Sequence, residues 1–407
     1  MRIIALLLAG CVTQDWPAWR GAKGDAKLDG FKPPATWPKE LQRGWQVEVG
    51  EGHSTPALVE GKLYVFARQG GDEVTLSLDA ASGKELWRDK LAVDAEFMLQ
   101  SASKPHGKGP FSSPSVAGGR VFTFGIRGTL TCLDAKEGKV LWRHDFKDRL
   151  GTPYPQWGAA ASPLVLDGAC VIHVGGDKKG SIVSLDVATG KQKWSWDGDG
   201  PGYATSILAT VGGKPQLITQ TQYKAVGLSP ADGKLLWELE YKTNYDQNSV
   251  TPVVLGDLVI LSGTARGVTA YRIGGGKPEQ AWHTDDVAMY MSSPLLKGDR
   301  LYGFSEKRKG QFFCLDAKTG QAFWTAGSRL GENAALLDAG EVILALATPR
   351  PDGNDPSHLI VFDAHEKAYA QRPPIKVADT PAWAHPVVSG RSIYIKDKTK
   401  LTLWTIP

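Results

Sequence analysis

The pattern Gly-Lys/Gln-x-x-Trp occurs five times in this chain. It closes the segments LSLDAASGKELW at Trp87, LTCLDAKEGKVLW at Trp142, IVSLDVATGKQKW at Trp194, AVGLSPADGKLLW at Trp237 and FFCLDAKTGQAFW at Trp324. Composition alone predicts fewer than about one such match, so the chain is a repeat array. Apolar alternation ahead of Asp79, Asp134, Asp186 and Asp316 predicts a strand. The Asp carboxylate accepts backbone N–H groups and starts a turn, and Gly83, Gly138, Gly190, Gly233 and Gly320 supply the positive φ that reverses the chain. The returning strand carries the Trp, whose ring suits the gap between neighbouring sheets. Such a hairpin, recurring every 42–55 residues, fits the four-stranded blade of a propeller.

A second marker fixes the number of blades. A small or polar residue, then Pro and an apolar strand, recurs at Ser54-Thr55-Pro56, Ser113-Pro114, Ser162-Pro163, Thr251-Pro252, Ser293-Pro294 and His385-Pro386. Degenerate copies lie at Thr205-Ser206-Ile207 and Asn333-Ala334-Ala335, which makes eight inner-hairpin starts. Outer strands counted separately are those of Trp45, Trp87, Trp142, Trp194, Trp237, Trp282 and Trp324, with Tyr369 marking the eighth. The Trp45 strand, Gly44–Val49, precedes any inner hairpin, and the last unit, His385–Pro407, lacks an outer strand. Pairing Gly44–Val49 with Leu401–Ile406 closes the ring and removes an open sheet edge. The expected fold is all-β: an eight-bladed β-propeller of four-stranded antiparallel blades, with the N-terminal strand completing the last blade.

Composition agrees with many short strands and tight turns: 47 glycines and 25 prolines in 407 residues are too many for a helical protein. A net charge of +4 is not a basic patch, and Lys396–Lys400 reads as a solvated turn, so no nucleic-acid partner is expected. Of the four cysteines, Cys132 and Cys314 both precede Leu at one repeat position, which points to buried strand residues. A Cys132–Cys170 disulfide between neighbouring blades is the alternative. No CxxC or CxxCH spacing occurs.

The N-terminus begins Met1-Arg2, continues with the apolar run Ile3–Ala9 and reaches Leu8-Ala9-Gly10-Cys11. This resembles a bacterial lipoprotein signal and lipobox, with Cys11 as the lipidated residue; an ordinary export signal is the alternative. The run is too short to span a bilayer. Residues 1–11 are read as signal peptide and lipobox, 12–43 as an N-terminal arm and 44–407 as the propeller.

LDAxTGKxLW with a Ser/Thr-Pro inner strand resembles the PQQ-like, or quinoprotein-type, propeller repeat. Trp16-Pro17-Ala18-Trp19-Arg20-Gly21 is similar to the opening segment of many bacterial members. The resemblance covers about residues 16–407, and it is specific for fold rather than activity. The same repeat serves quinoprotein dehydrogenases, the BamB-type lipoprotein of outer-membrane β-barrel assembly, and other envelope proteins. The dehydrogenases use a vicinal Cys-Cys disulfide beside the quinone, a calcium held by Glu, Asn and Asp, and an Asp base. This sequence has no Cys-Cys pair, and its eight histidines show no HExxH spacing. The resemblance therefore implies a non-catalytic envelope scaffold, BamB-like, without cofactor. The expected partners are other envelope proteins. Membrane contact is expected through the lipid anchor only, at the outer membrane facing the periplasm, and the chain is expected to be monomeric. The alternatives are a PQQ- and calcium-dependent alcohol or sugar dehydrogenase-like oxidoreductase, and a polymer- or carbohydrate-binding envelope protein.

Propeller geometry places the long inter-blade loops on one face with the middle-hairpin turns, and the LDAxTGK turns on the other. Those loops, Asp89–Phe111, His144–Ala160, Asp197–Ala204, Leu239–Ser249 and Tyr369–Trp383, carry aromatic residues near the inner-strand starts. The candidate binding face is His106, Tyr154, Trp157, Tyr203, Tyr245, Tyr290 and Trp383, with Phe111, Arg149, Asp246, Asn248 and Asp285 nearby.

Overall fold

Each LDAxTGK turn is built as its residues dictate. In the computed structural model, which describes residues 14–94, 104–151, 155–274, 276–327, 329–350, 355–365 and 367–407, Asp79 Oδ1 accepts the Ser82 N–H at 2.8 Å. The Gly83 N–H closes the turn on the Asp79 carbonyl at 2.8 Å, and Gly83 has φ +72°. Asp134, Asp186 and Asp316 accept from Glu137, Thr189 and Thr319 in the same way. The first blade is the meander Ala57–Val59, Lys62–Gln69, Asp72–Asp79 and Glu85–Ala92. Eight such four-stranded antiparallel sheets form the fold among the described residues.

The ring closes as a hairpin between distant ends of the chain. Gln42–Glu48 pairs with Lys400–Thr405, through Gln42↔Thr405, Val47↔Leu401 and Glu48↔Lys400. The closing strand thus starts two residues before the expected Gly44 and ends at Glu48. It gives the last blade its fourth strand, beside Lys400–Thr405, Ser392–Lys396 and Val387–Ser389.

The repeated Trp joins one blade to the next. Trp45, Trp87 and Trp142 donate Nε1–H to the carbonyls of Ala80, Ala135 and Val187, each at 3.1 Å. Trp194, Trp282 and Trp324 make the equivalent bond to Pro230, Ala317 and His365. Five of these rings, those of Trp45, Trp87, Trp142, Trp194 and Trp282, also cover the turn glycine of the next blade: a Cβ on Gly83, Gly138, Gly190, Gly233 or Gly320 would lie 2.4–2.8 Å from it. Opposite Trp87, Trp142 and Trp324 the neighbouring strand carries a small residue, Ser77, Cys132 and Cys314 respectively. Cys132 and Cys314 therefore hold a packing position. Cys132, Cys170 and Cys314 are free and buried, and burial pushes the Cys132 thiol up to about 12 and Cys170 higher still. The disulfide alternative is not realised.

Two positions break this rule. Trp237 bonds back to Gln216 Oε1 at 2.7 Å within its own blade, its indole lying over Gly227, where a Cβ would be 2.2 Å from Nε1. Tyr369 does not mark an outer strand: that strand is Ile375–Ala378, inside the segment expected to be a loop. Tyr369 instead packs on Phe312, Trp324 and Phe362. At the following junction the direction reverses, and Trp404 of the last blade donates to the Val377 carbonyl at 3.0 Å. A further correction concerns Lys396, expected in a solvated turn. It is the last residue of Ser392–Lys396 and fully buried. Its Nζ donates to the Gly52 carbonyl at 2.6 Å, and burial lowers its pKa to about 8.

Residues 14–30 thread the central channel. Trp16 pairs with Leu58 through two backbone bonds, the Val116 N–H donates to the Pro17 carbonyl, and the Asp338 N–H donates to the Ala26 carbonyl. At the tip, Trp19 Nε1 donates to Thr251 Oγ1 at 3.3 Å, and the Arg20 guanidinium donates to the Pro294 carbonyl. Arg20 is 1 % exposed, and this desolvation lowers its pKa to about 10 despite Asp25. The segment enters among the inner-hairpin turns, where Asp15 Oδ1 accepts the Glu60 N–H at 3.0 Å. It turns back at Trp19–Gly21 and leaves beside Asp338. These turns share a face with the LDAxTGK turns, since Ala80, Ala135 and Ala317 donate to Gly61, Gly119 and Asp299. The plug thus closes the channel from the turn face.

Candidate functional site

On the opposite, loop face the channel opens into a mouth framed by the residues before each inner strand. The Thr55 N–H donates to Ser113 Oγ at 2.9 Å, Ser113 N–H to Ser162 Oγ at 2.9 Å and Ser162 N–H to Thr205 Oγ1 at 3.0 Å. Across the channel the Thr251 N–H donates to Ser293 Oγ, and the His385 N–H donates to Thr55 Oγ1, joining the last blade to the first. This belt explains the recurring hydroxyl before Pro. It satisfies a buried backbone donor of the preceding blade, which would otherwise cost about 1–3 kcal/mol.

Within the belt lies a cavity of about 140 Å³ with the plug residue Trp19 among its walls. His106, Trp157, Tyr203 and Trp383, four of the residues placed on the candidate face, all line it. The short helical turn Lys104–His106 brings the His106 ring against Trp157 and Trp383, at centroid distances of 4.9 and 4.7 Å. His53 Nε2 meets His106 Nδ1 at 3.1 Å. Tyr245 and Tyr290 stand further out, in the wall of an adjoining cavity of about 250 Å³ that shares His106, Trp157, Gln247 and Met291 with the first. The Tyr290 hydroxyl donates to Gln247 Oε1 at 2.6 Å. Tyr245, in the left-handed region at φ 63°, is 78 % exposed. This space continues outward past Glu332 and Arg350 into a cleft of about 840 Å³. Tyr154 and Cys11 lie outside the described residues.

The polar residues expected near the mouth do other work. Asn248 is buried and donates to the Thr221 and Tyr241 carbonyls. Asp246 accepts from the Tyr223 hydroxyl, Asp285 pairs with His283, and Arg149 lies over Phe146. Sequence reasoning overlooked Trp19, His53 and His385 as cavity residues. The substitution of His for Ser/Thr in the His385-Pro386 copy of the marker was the available signal.

Among the described residues lining the mouth cavity there is no Asp, Glu, Lys or Arg. Two of its histidines are held neutral: burial, with His106, Lys396 and Lys398 adding to it, depresses His53 well below the imidazole range, and burial beside Arg20 brings His385 down to about 3. A calcium–PQQ pair does not fit this donor set. Calcium takes oxygen ligands, carboxylates foremost, and a tricarboxylate quinone calls for cationic partners.

Blades stitched by Trp-to-turn bonds around a plugged channel define an eight-bladed propeller of PQQ-like repeats. Residues 71–326 match the family described as outer membrane protein assembly factor BamB, and the chain belongs to that family. BamB of Shewanella oneidensis is 27% identical over 289 residues, which is 69% of this chain and 60% of that protein. The quinohemoprotein alcohol dehydrogenase ADH IIB of Pseudomonas putida is 29% identical over 162 residues, 38% of this chain and 22% of that enzyme. The chain thus spans between about a fifth and three fifths of these relatives. Among solved structures, BamB from Moraxella catarrhalis superposes with a TM-score of 0.60 at 14% identity, covering 90% of this chain and 99% of that one. The quinohemoprotein alcohol dehydrogenase of Comamonas testosteroni gives 0.67 at 14% identity, covering 96% and 80%. The structural likeness is one of fold.

Proposed function

We propose that this chain is a non-catalytic scaffold of the cell envelope that docks partner proteins on its loop face, BamB-like in outer-membrane protein assembly. The observation that carries this reading is the open, aromatic rim beside the mouth, where Tyr245 is 78 % exposed and Tyr290 and Trp157 flank it. Large aromatic side chains at the centre of a concave surface are what protein interfaces use as anchors. The relatives named as outer membrane assembly factors support the choice of partner class.

A lipid anchor at Cys11 fits the plug. Cys11 precedes Asp15 by four positions, a reach of roughly 14 Å at most, and Asp15 lies at the turn face. An anchor there holds the turn face toward the bilayer and leaves the mouth to the periplasm. Cys11→Ser is expected to abolish fatty-acid labelling and release the protein from membranes; unlabelled, fully soluble wild-type protein would refute the anchor.

The dehydrogenase relatives favour one rival reading, a PQQ-dependent oxidoreductase. Purified protein supplied with PQQ and calcium is expected neither to retain the quinone nor to reduce an artificial acceptor with alcohols or sugars. Stoichiometric quinone retention with substrate-dependent turnover would replace the scaffold by the enzyme.

A further inference from the structure

Four cations meet at one corner of the loop face. The turn Lys307–Lys309, between the strands Arg300–Ser305 and Gln311–Asp316, carries three in succession. The loop to the next blade brings up the fourth: the Arg329 N–H donates to the Arg308 carbonyl at 3.1 Å, and the Leu330 N–H to that of Gly310 at 3.2 Å. Lys307, Arg308, Lys309 and Arg329 are all exposed. None of the four side chains makes a hydrogen bond or an ion pair among the described residues. Arg308, Lys309 and Arg329 also have φ of 54°, 63° and 61°, the left-handed region that strains any residue with a Cβ and that glycine enters freely. Basic side chains thus occupy three positions where glycine would relieve strain, the trade a binding surface makes.

Lys309 and Arg329 line, with Arg350, the cleft of about 840 Å³ between this blade and the next. Three carboxylates line it as well, and two are committed elsewhere. Glu306 turns to the preceding blade, accepting the Thr264 hydroxyl and the Ala265 N–H at 2.8 Å each. Glu332 lies 4.0 Å from Arg350. Among the described residues that leaves Asp355 against four unpaired cations. His358, also in the wall, is biased toward its neutral form by burial and by Lys376. The corner is therefore positive and attracts an anionic partner. Shape decides which kind. The cleft shares Tyr290, Glu332 and Arg350 with the cavity of about 250 Å³, which in turn shares walls with the mouth. The cleft and the mouth have no lining residue in common, so the three lie in a line. This trough starts among aromatic rings and ends among cations, with Leu330, Pro349 and Ile360 as apolar ground between the charges. A phosphate or a lipid headgroup fills only the cationic end, and a flat bilayer cannot enter a trough. An extended peptide fills its length.

Resting on the scaffold reading, we propose that the trough receives an extended acidic segment of the partner protein. The segment lays an aromatic or apolar side chain beside Tyr290 and sets its carboxylates on Lys309 and Arg329, with Lys307 and Arg308 on the same turn steering it in.

The test is fluorescence anisotropy of the full chain with labelled peptides of about twelve residues, roughly 40 Å when extended. Each peptide has one Tyr near its N-terminus, followed by Ser alternating with Glu, Gln or Lys. The Glu peptide is expected to bind at least about tenfold more tightly than the Gln peptide, and to weaken as salt is raised. The Lys peptide is expected not to bind. Lys309→Glu with Arg329→Glu should abolish the preference for Glu over Gln, whereas Lys84→Glu with Lys139→Glu, on exposed turns of the other face, should leave it unchanged. Lys309→Gly with Arg329→Gly is expected to raise the melting temperature while weakening the Glu peptide, a combination that a merely structural turn does not give. Equal affinity for the Glu and Gln peptides, or a Glu peptide indifferent to the charge reversal, overturns the acidic segment. Inorganic polyphosphate or phosphatidylglycerol vesicles held through Lys309 and Arg329 while the Glu peptide is ignored would put another anion there and overturn it too. In cells, a photo-crosslink from Tyr245 to an envelope protein that survives Lys309→Glu with Arg329→Glu overturns the acidic segment and leaves the scaffold standing. No crosslink from Tyr245 with Glu-peptide binding intact supports the basic site and counts against the scaffold instead.

Discussion

A Cβ on Gly138 would sit 2.5 Å from the ring of Trp87, one blade away. The same indole bonds the Ala135 carbonyl at 3.1 Å, so a single side chain fixes the spacing and tilt of two blades. Gly138→Ala is therefore expected to destabilise the protein by about 2 kcal/mol or more, from strain at φ +72° and from overpacking. Gly61, with the same φ and nothing within 4 Å, isolates the backbone share: Gly61→Ala should cost only about 1 kcal/mol. Urea unfolding of both variants checks the difference. Equal losses would mean that the Trp contact contributes nothing.

Closure and plugging are separable by truncation. A chain beginning at Phe31 loses the plug but keeps Gln42–Glu48, and one beginning at Val49 loses both. The first is expected to melt modestly lower without added association. The second exposes the edge of Lys400–Thr405 and is expected to melt much lower and to associate. Light scattering during a thermal melt measures both effects, and a stable monomer from the second truncation contradicts the closure.

Glu73 gives the stability a pH dependence. Its carboxylate is buried and accepts the Ile126 N–H at 2.7 Å. Burial raises its pKa to about 7, against the lowering effects of that bond and of Arg68. The folded state holds a proton that the unfolded state has released, so stability falls as pH rises from about 4.5 to 7 and is level above. Glu73→Gln keeps the acceptor and removes the ionisation. It is expected to be more stable than wild type at pH 8, by roughly 2–3 kcal/mol, and to flatten that slope. A variant less stable at pH 8 than at pH 5 relative to wild type contradicts this.

The fold was legible because it is written eight times. The Gly-Lys/Gln-x-x-Trp hairpin and the hydroxyl-Pro start each recur at blade spacing, so one weak copy such as Asn333-Ala334-Ala335 does not upset the count. Reading failed where a residue acts once and at long range. Tyr369 has the aromatic character of an outer-strand marker but packs at the preceding blade junction, because the outer strand of its blade lies further on, at Ile375–Ala378. Lys396 looked solvated because its neighbours are Asp and Lys, and only the approach of Gly52 from the first blade buries it. The mouth was legible in part. Aromatic residues in long loops point there by topology, whereas Trp19 reaches the cavity by threading the channel, and no local pattern reports that.

The scaffold reading rests on which face meets a partner. A photo-crosslinking residue placed at Tyr245, on the loop face, and at Lys318, on an exposed LDAxTGK turn of the other face, compares the two surfaces in living cells. The account predicts a discrete adduct with an envelope protein from position 245, lost when Trp157→Ala and Tyr290→Ala are added, and none from position 318. Adducts from position 318 alone, or equal adducts from both, would contradict it.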